Sequence, residues 1–193
     1  MSIIDTPTIE LRSGGLVDLS KIQPSDIRLD DIAHSLSNLC RFNGHCREFY
    51  SVAQHSVHVL ELVSRSVVLV HANPFTLRWA LLHDSAEAYL GDITGLLKQI
   101  LLEESPVFVK LEQQIEDAVM SRFRIDPTKI DFEAIKEADQ RILLTEKRDL
   151  MGKIEWPGIT DTTRSRIPNK IVPQQNWVSK EEFLKSAERL KIK

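Results

Sequence analysis

The chain has 193 residues, 42% hydrophobic and 27% charged, a balance that suits one globular domain large enough to bury a core. Its formal net charge of −3 argues against a general nucleic-acid binder, so no stable nucleic-acid partner is expected. An anionic small substrate stays open, because only local charge matters within a cleft.

The opening MSIIDTPTIELRSGG lacks a basic n-region and an apolar h-region, so no signal peptide is expected there. Residues 8–12 and 15–19 flank Ser13-Gly14 and predict a short N-terminal β-hairpin. After Pro24 the chain turns helical. Asp30 is expected to cap a helix reaching about Phe42, with Ile32, Ala33, Leu36, Leu39 and Cys40 on one face. The polar linker NGHCREFY leads to Ser51, expected to cap the helix VAQHSVHVLELVSR, where Val52, Val59 and Val63 share a face near His55. Cys40 and Cys46 make no secreted disulfide framework and match a zinc pair poorly, so they read as reduced thiols in or near a helix.

Asn73 followed by Pro74 gives a cap and first-turn signal for a helix that carries His83-Asp84 and ends at Gly91. Ser105-Pro106 opens another helix through about Arg124, with Val109, Ile115, Val119 and Phe123 as its apolar stripe. Asp131 starts a long helix through Leu150, bearing Asp139 and closed by Gly152. Residues 153–178 hold Pro157, Gly158, Pro168 and Pro173 and read as an extended return, which Trp156 and Trp177 are expected to pin to the core. Ser179 with Glu182 predicts a capping box for a last helix over 179–191. No stretch approaches the roughly 18 apolar residues of a membrane span, so a cytoplasmic protein with no membrane partner is expected. The fold class expected over 1–193 is all-α, a single helical domain with a small N-terminal β-hairpin.

His55, His83, Asp84 and Asp139 form the candidate metal set. Adjacent helical residues point about 100° apart, so His83 and Asp84 both reach one ion only where a cleft wraps the helix. Two imidazoles and two carboxylates suit a divalent ion of borderline hardness such as Mn, Fe, Co, Ni or Zn, with Mg also kept in the expected set. With water on its open positions such an ion is a Lewis acid and a source of hydroxide, which points to a hydrolase. Alone, His55 reads as a core histidine among valines, and Asp139 as a solvated or salt-bridged carboxylate. The order of all four favours the metal reading, since a carboxylate beside Ile135, Ala138, Ile142 and Leu143 is costly unless paired or metal-bound.

The order H…HD…D, flanked by DIAHSLSNLCRFNGHCREFYSVAQHS and LLHDSAEAYLGDITGLLK, resembles the HD superfamily of metal-dependent phosphohydrolases. The likeness is strongest over 8–150 and is to small bacterial 5′-deoxynucleotidases and phage enzymes that hydrolyse dATP. It implies an HD-domain helical bundle, and an oligomer. Two-metal members usually carry further histidines between the HD pair and the last ligand. All six histidines here lie at or before position 83, so the resemblance implies one ion per chain.

Glu87, one turn beyond Asp84, is placed to hydrogen-bond metal-bound water as general base or to protonate the leaving oxygen. The 5′-deoxynucleotidases have a catalytic Glu at that offset, and Asp92 matches their second acidic residue near the sugar. Arg41-Phe42 resembles their Arg-Trp pair, which grips the phosphate and lines the nucleoside pocket, with Phe in place of Trp. Lys98 and Lys136 look like phosphate-contacting lysines of the dATP-hydrolysing relatives. The bland alternatives are an exposed helix Glu87, a turn-capping Asp92 and solvated lysines. His58 reads as packing or surface and His34 as structural; His45 stays open, and Arg47 contacts phosphate or only solvent.

The function expected is hydrolysis of the 5′-phosphoester of a deoxynucleotide, releasing phosphate from a dNMP or triphosphate from a dNTP such as dATP. A phosphodiesterase on cyclic or oligomeric nucleotides would need room for a second nucleoside and usually a second metal. A non-catalytic nucleotide-sensing HD domain would be marked by loss of a ligand or of the acidic helper, and both are retained.

Overall fold

In the computed structural model the described residues are 7–65, 73–156 and 167–193. Thr8–Glu10 (β1) and Leu16–Asp18 (β2) pair antiparallel, Ile9 opposite Val17, through a turn in which Gly14 takes φ +81°. Val17 faces the core while Leu16 is exposed, the alternation of a strand with one wet face. The turn docks through Ser13, whose N–H and hydroxyl donate to the buried carboxylate of Asp31 at 2.9 and 2.7 Å.

Helix α1 spans Leu29–Asn38, with Arg28 rather than Asp30 at its N-cap. Asp30 sits in the first turn instead, ion-paired to Arg12 at 3.0 Å and to Lys180 at 2.9 Å. The helix stops short of Phe42 because Phe42, Asn43 and Gly44 all take positive φ (55°, 50° and 78°), a conformation no right-handed helix holds. Ile32, Ala33 and Leu36 are buried on its inner face, while Leu39 and Cys40 lie past its end and are partly exposed.

Helix α2 (Val52–Arg65) begins as expected, with the Gln54 N–H donating to Ser51 Oγ at 3.1 Å. Helix α3 (Pro74–Leu82) is capped by the Asn73 side chain, which accepts from the Phe75 N–H at 2.9 Å. It ends at Leu82, so His83 and Asp84 occupy the turn between α3 and the short α4 (Glu87–Leu90), not the middle of one helix. Gly91, at φ 84°, closes α4.

Helix α5 (Gly95–Glu104) was not expected from the sequence; its Leu97, Ile100 and Leu102 are exposed. Helix α6 (Pro106–Arg122) buries Ile115 and Val119, with Phe123 just beyond it, but Val109 of the expected stripe is exposed. Helix α7 (Phe132–Leu150) is capped by Asp131, which accepts from the Ala134 N–H at 3.0 Å, and Met151 in extended conformation ends it ahead of Gly152.

Helix α8 (Asn176–Arg189) begins ahead of Ser179. Ser179 is buried inside it and donates back to the Gln175 carbonyl at 3.4 Å, so it is no cap. Trp177 lies on this helix 65% exposed and does not pin the return segment. Of that segment, 153–156 and 167–175 are non-helical, while Pro157, Gly158 and the rest of 157–166 lie outside the described residues.

The result is an all-α bundle with a small N-terminal hairpin. Helix α2 is central, packed against α1, α3, α7 and α8, while α5 packs on α6. Among the described residues no helix is long and apolar enough to cross a membrane.

Candidate metal centre

Three elements converge on His55. It lies in the first turns of α2 and is fully buried. Asp139 reaches it from α7, with Oδ1 at 3.1 Å from His55 Nε2. Asp84, from the turn after α3, places Oδ2 at 3.5 Å from the same nitrogen and Oδ1 at 3.3 Å from His83 Nε2. The two imidazole centroids are 5.5 Å apart. The break between α3 and α4 is what lets neighbours His83 and Asp84 face one point.

One ligand atom each from His55, His83 and Asp139 lies within 4.8 Å of the others, and this group can hold a metal ion. A direct test of fit is where the buried polar atoms find partners. His55 Nε2, His83 Nε2 and Asp84 Oδ2 are buried without a hydrogen-bond partner. Leaving such atoms unsatisfied carries a desolvation cost, and three of them gathered at one point are a donor set suited to a divalent cation.

The opposite ring nitrogens are both spoken for. His83 Nδ1 lies 2.9 Å from the Ala80 carbonyl, and His55 Nδ1 lies 2.7 Å from Glu146 Oε1. A carbonyl or carboxylate on one ring nitrogen fixes the tautomer and turns the other nitrogen toward a metal. Glu146, from α7, is fully buried, and its Oε2 accepts from Arg41 Nε at 3.2 Å. Arg41 Nη1 in turn stands 3.6 Å from Asp84 Oδ2. Glu146 did not figure in the sequence pattern. Its signal was present: it follows Asp139 by two helical turns, a second carboxylate on a helix face that also holds buried Ile142.

Charge sets the proton affinities here. Burial and Arg41 act against a proton on His55, but Glu146 and Asp139 outweigh them and push its pKa up to about 10. Burial acts against ionised Glu146, yet Arg41 and His55 hold it down to about 2. Burial likewise opposes ionised Asp139, and contact with His55 overrides it, leaving the carboxyl well below its usual range. Burial disfavours the Arg41 cation, but Glu146, Asp84, Glu87 and Asp139 keep it protonated at any working pH. Metal ions compete with protons for such a field.

Glu87 and Asp92 line the same region, each with one buried, unpartnered carboxylate oxygen. Burial first, and then repulsion from Asp84 and Asp92, raises Glu87 well above its ordinary value. Burial and Asp84 also raise Asp92, against the pull of Arg41 and of the Phe42 N–H. Phe42 adjoins Arg41, whose Cζ stands 5.5 Å from its ring centroid.

The lysines are less closely engaged. Lys98 is paired to Glu112 at 2.7 Å, and Lys136 is exposed one turn before Asp139, with no ion pair among the described residues. His58 stacks on buried Tyr50 at 6.4 Å between centroids, a packing role. His45 and Arg47 are exposed. Cys40 and Cys46 are free thiols; burial and its neighbour Cys40 push Cys46 up to about 12.

No protein-family model matches the chain. It is 38% identical over 142 residues to the uncharacterized protein YfdR of Escherichia coli (strain K12), spanning 74% of this chain and 71% of that one. It is also 37% identical over 149 residues to the uncharacterized protein RCAP_rcc00048 of Rhodobacter capsulatus, spanning 72% of this chain and 71% of that one. Identity of this order over most of both chains is shared descent, and the chain belongs to the family of YfdR and RCAP_rcc00048.

Proposed function

We propose that the chain is a metal-dependent phosphohydrolase of the HD type, cytoplasmic and homo-oligomeric, that cleaves the 5′-phosphoester of deoxynucleotides. The observation that carries this reading is the gathering of unpartnered His55 Nε2, His83 Nε2 and Asp84 Oδ2, with Asp139, beside the buried guanidinium of Arg41. These four residues would hold one divalent ion. When bound, it supplies Lewis acidity toward a phosphoryl oxygen and acidifies water.

The protein's own residues do the rest. Arg41 brings a permanent cation to the phosphate; Glu146 occupies its Nε, so the terminal nitrogens face the anion. Glu87, one turn from Asp84, is placed to hold or move a proton at the reacting oxygens. Asp92 and Phe42 border the sugar side of the cleft. Lys98, by exchanging its Glu112 partner, and exposed Lys136 would meet the outer phosphate oxygens.

The test is direct. Protein loaded in turn with Co, Mn, Zn, Ni, Fe or Mg is incubated with panels of dNMPs and dNTPs, and the released anion is identified. Phosphate from a dNMP or triphosphate from a dNTP supports the reading and assigns the substrate. Nucleotide binding without release under any metal would show a sensor, and pyrophosphate would show cleavage at a different bond.

A further inference from the structure

Phe42 is a bulky residue held at φ 55° and followed by Asn43 at 50°, a conformation that L side chains rarely adopt. Backbone of this kind persists where surrounding contacts over-determine it, and it clusters at functional sites. Here the Arg41 N–H donates to the Tyr50 carbonyl at 2.9 Å, and the Cys46 thiol donates to the Arg41 carbonyl at 3.3 Å. These bonds anchor the backbone of Arg41, whose guanidinium carbon stands 5.5 Å from the centroid of the Phe42 ring. The ring then meets Trp156, with centroids 5.9 Å apart and planes tilted by 58°. Lys147 Nζ stands over Trp156 at 5.7 Å from its centroid.

Two aromatic rings thus step outward from the cation that faces the metal centre, with a second cation at the far end. The chain has three tryptophans, and their exposures separate them. Trp79 is 4% exposed in the core and Trp177 is 65% exposed on α8, whereas Trp156 is half-buried against Phe42. A partly open aromatic surface flanked by cations suits a planar base joined to an anionic group.

We propose that Phe42 and Trp156 together form the surface on which the substrate's base stacks. Trp156 is thereby a specificity-determining residue contributed by the segment after α7. The inference rests on the nucleotide reading of the metal centre and adds to it a residue outside the region that carries the metal set.

The experiment compares dAMP with 2-deoxyribose 5-phosphate, which has the same phosphoester and no base, as substrates of Mn-loaded protein. Trp156→Ala should lower kcat/KM for dAMP on the order of 10-fold, chiefly through KM, and leave 2-deoxyribose 5-phosphate unchanged. Trp156→Phe should keep most of the dAMP activity. Equal losses on both substrates, or a loss on neither, would overturn the inference and leave Trp156 as a brace for Phe42. If the unaltered protein hydrolyses neither compound, monophosphates are not its substrates, and tryptophan emission decides the stacking separately. On this inference dAMP quenches the emission of unaltered protein, 2-deoxyribose 5-phosphate does not, and the quench vanishes in Trp156→Ala. Quenching that is absent, or that persists in Trp156→Ala, overturns it.

Discussion

Glu146 braces the candidate metal centre from outside the donor set. It is a fully buried carboxylate, and both of its oxygens are used, one on His55 and one on Arg41. Glu146→Gln keeps the shape but removes the charge, so the amide cannot both orient His55 and balance Arg41. The expected outcome is a metal affinity about 10–100-fold weaker, read by calorimetry with Zn or Co. Glu87→Gln should behave differently, keeping the metal while turnover falls by about 10²–10⁴ if Glu87 moves a proton. Loss of metal in Glu87→Gln would make Glu87 a ligand, and full turnover would make it a bystander. Arg41→Lys should cost nearly as much activity as Arg41→Ala, because an ammonium lacks the planar fork that grips a phosphate with two parallel bonds; near-normal activity of Arg41→Lys would reduce Arg41 to a point charge. At this scale His55, His83 and Asp139, the group that can hold a metal ion, were legible because their order and residue types imply a donor set. Glu146 escaped because its role appears only when α2 and α7 are seen side by side.

Among the elements, starts were readable where the cap is local and not where it is tertiary. Ser51, Asn73 and Asp131 each bond to an N–H two or three residues on, which sequence alone implies. Asp30 and Ser179 have the right residue type, but Lys180 and Arg12 claim the first and burial inside α8 claims the second. Helix α5 was hidden because its Leu97, Ile100 and Leu102 are exposed rather than gathered on a buried stripe. The pair it forms with α6 has its own titration. Burial, then Glu112, pushes Glu116 of α6 up from 4.5 to about 7, against the pull of Lys98. A raised carboxyl stabilises the fold fully below its unfolded value of 4.5, and that contribution is lost as pH rises through about 7. Thermal melts of Glu116→Gln should therefore show less loss of stability between pH 5 and pH 8 than those of the unaltered protein. Identical pH slopes would show that Glu116 titrates normally.

For the molecule as a whole, an ion held at the candidate centre would be a crosslink. Its residues come from α2, from the turn after α3 and from α7, and two of those helices pack against the third. The all-α class with its hairpin was legible from periodicity and turn chemistry. The path by which residues 55, 83 and 139 meet was not, because it depends on how α2 is buried. An ion that binds the folded arrangement and not the open chain stabilises by mass action, about 2.7 kcal/mol at a free concentration 100 times its Kd. Chelation should therefore lower Tm, and adding back one equivalent of metal per chain should restore it. Asp139→Ala, which removes one arm of the crosslink, should melt at the same temperature with and without metal. Glu87→Gln should keep the full metal-dependent shift, because it removes no donor. A titration that saturates at two ions per chain would overturn the single-ion arrangement implied by the lack of histidines between Asp84 and Asp139. A metal-dependent shift that survives in Asp139→Ala would instead move the ion away from this cluster.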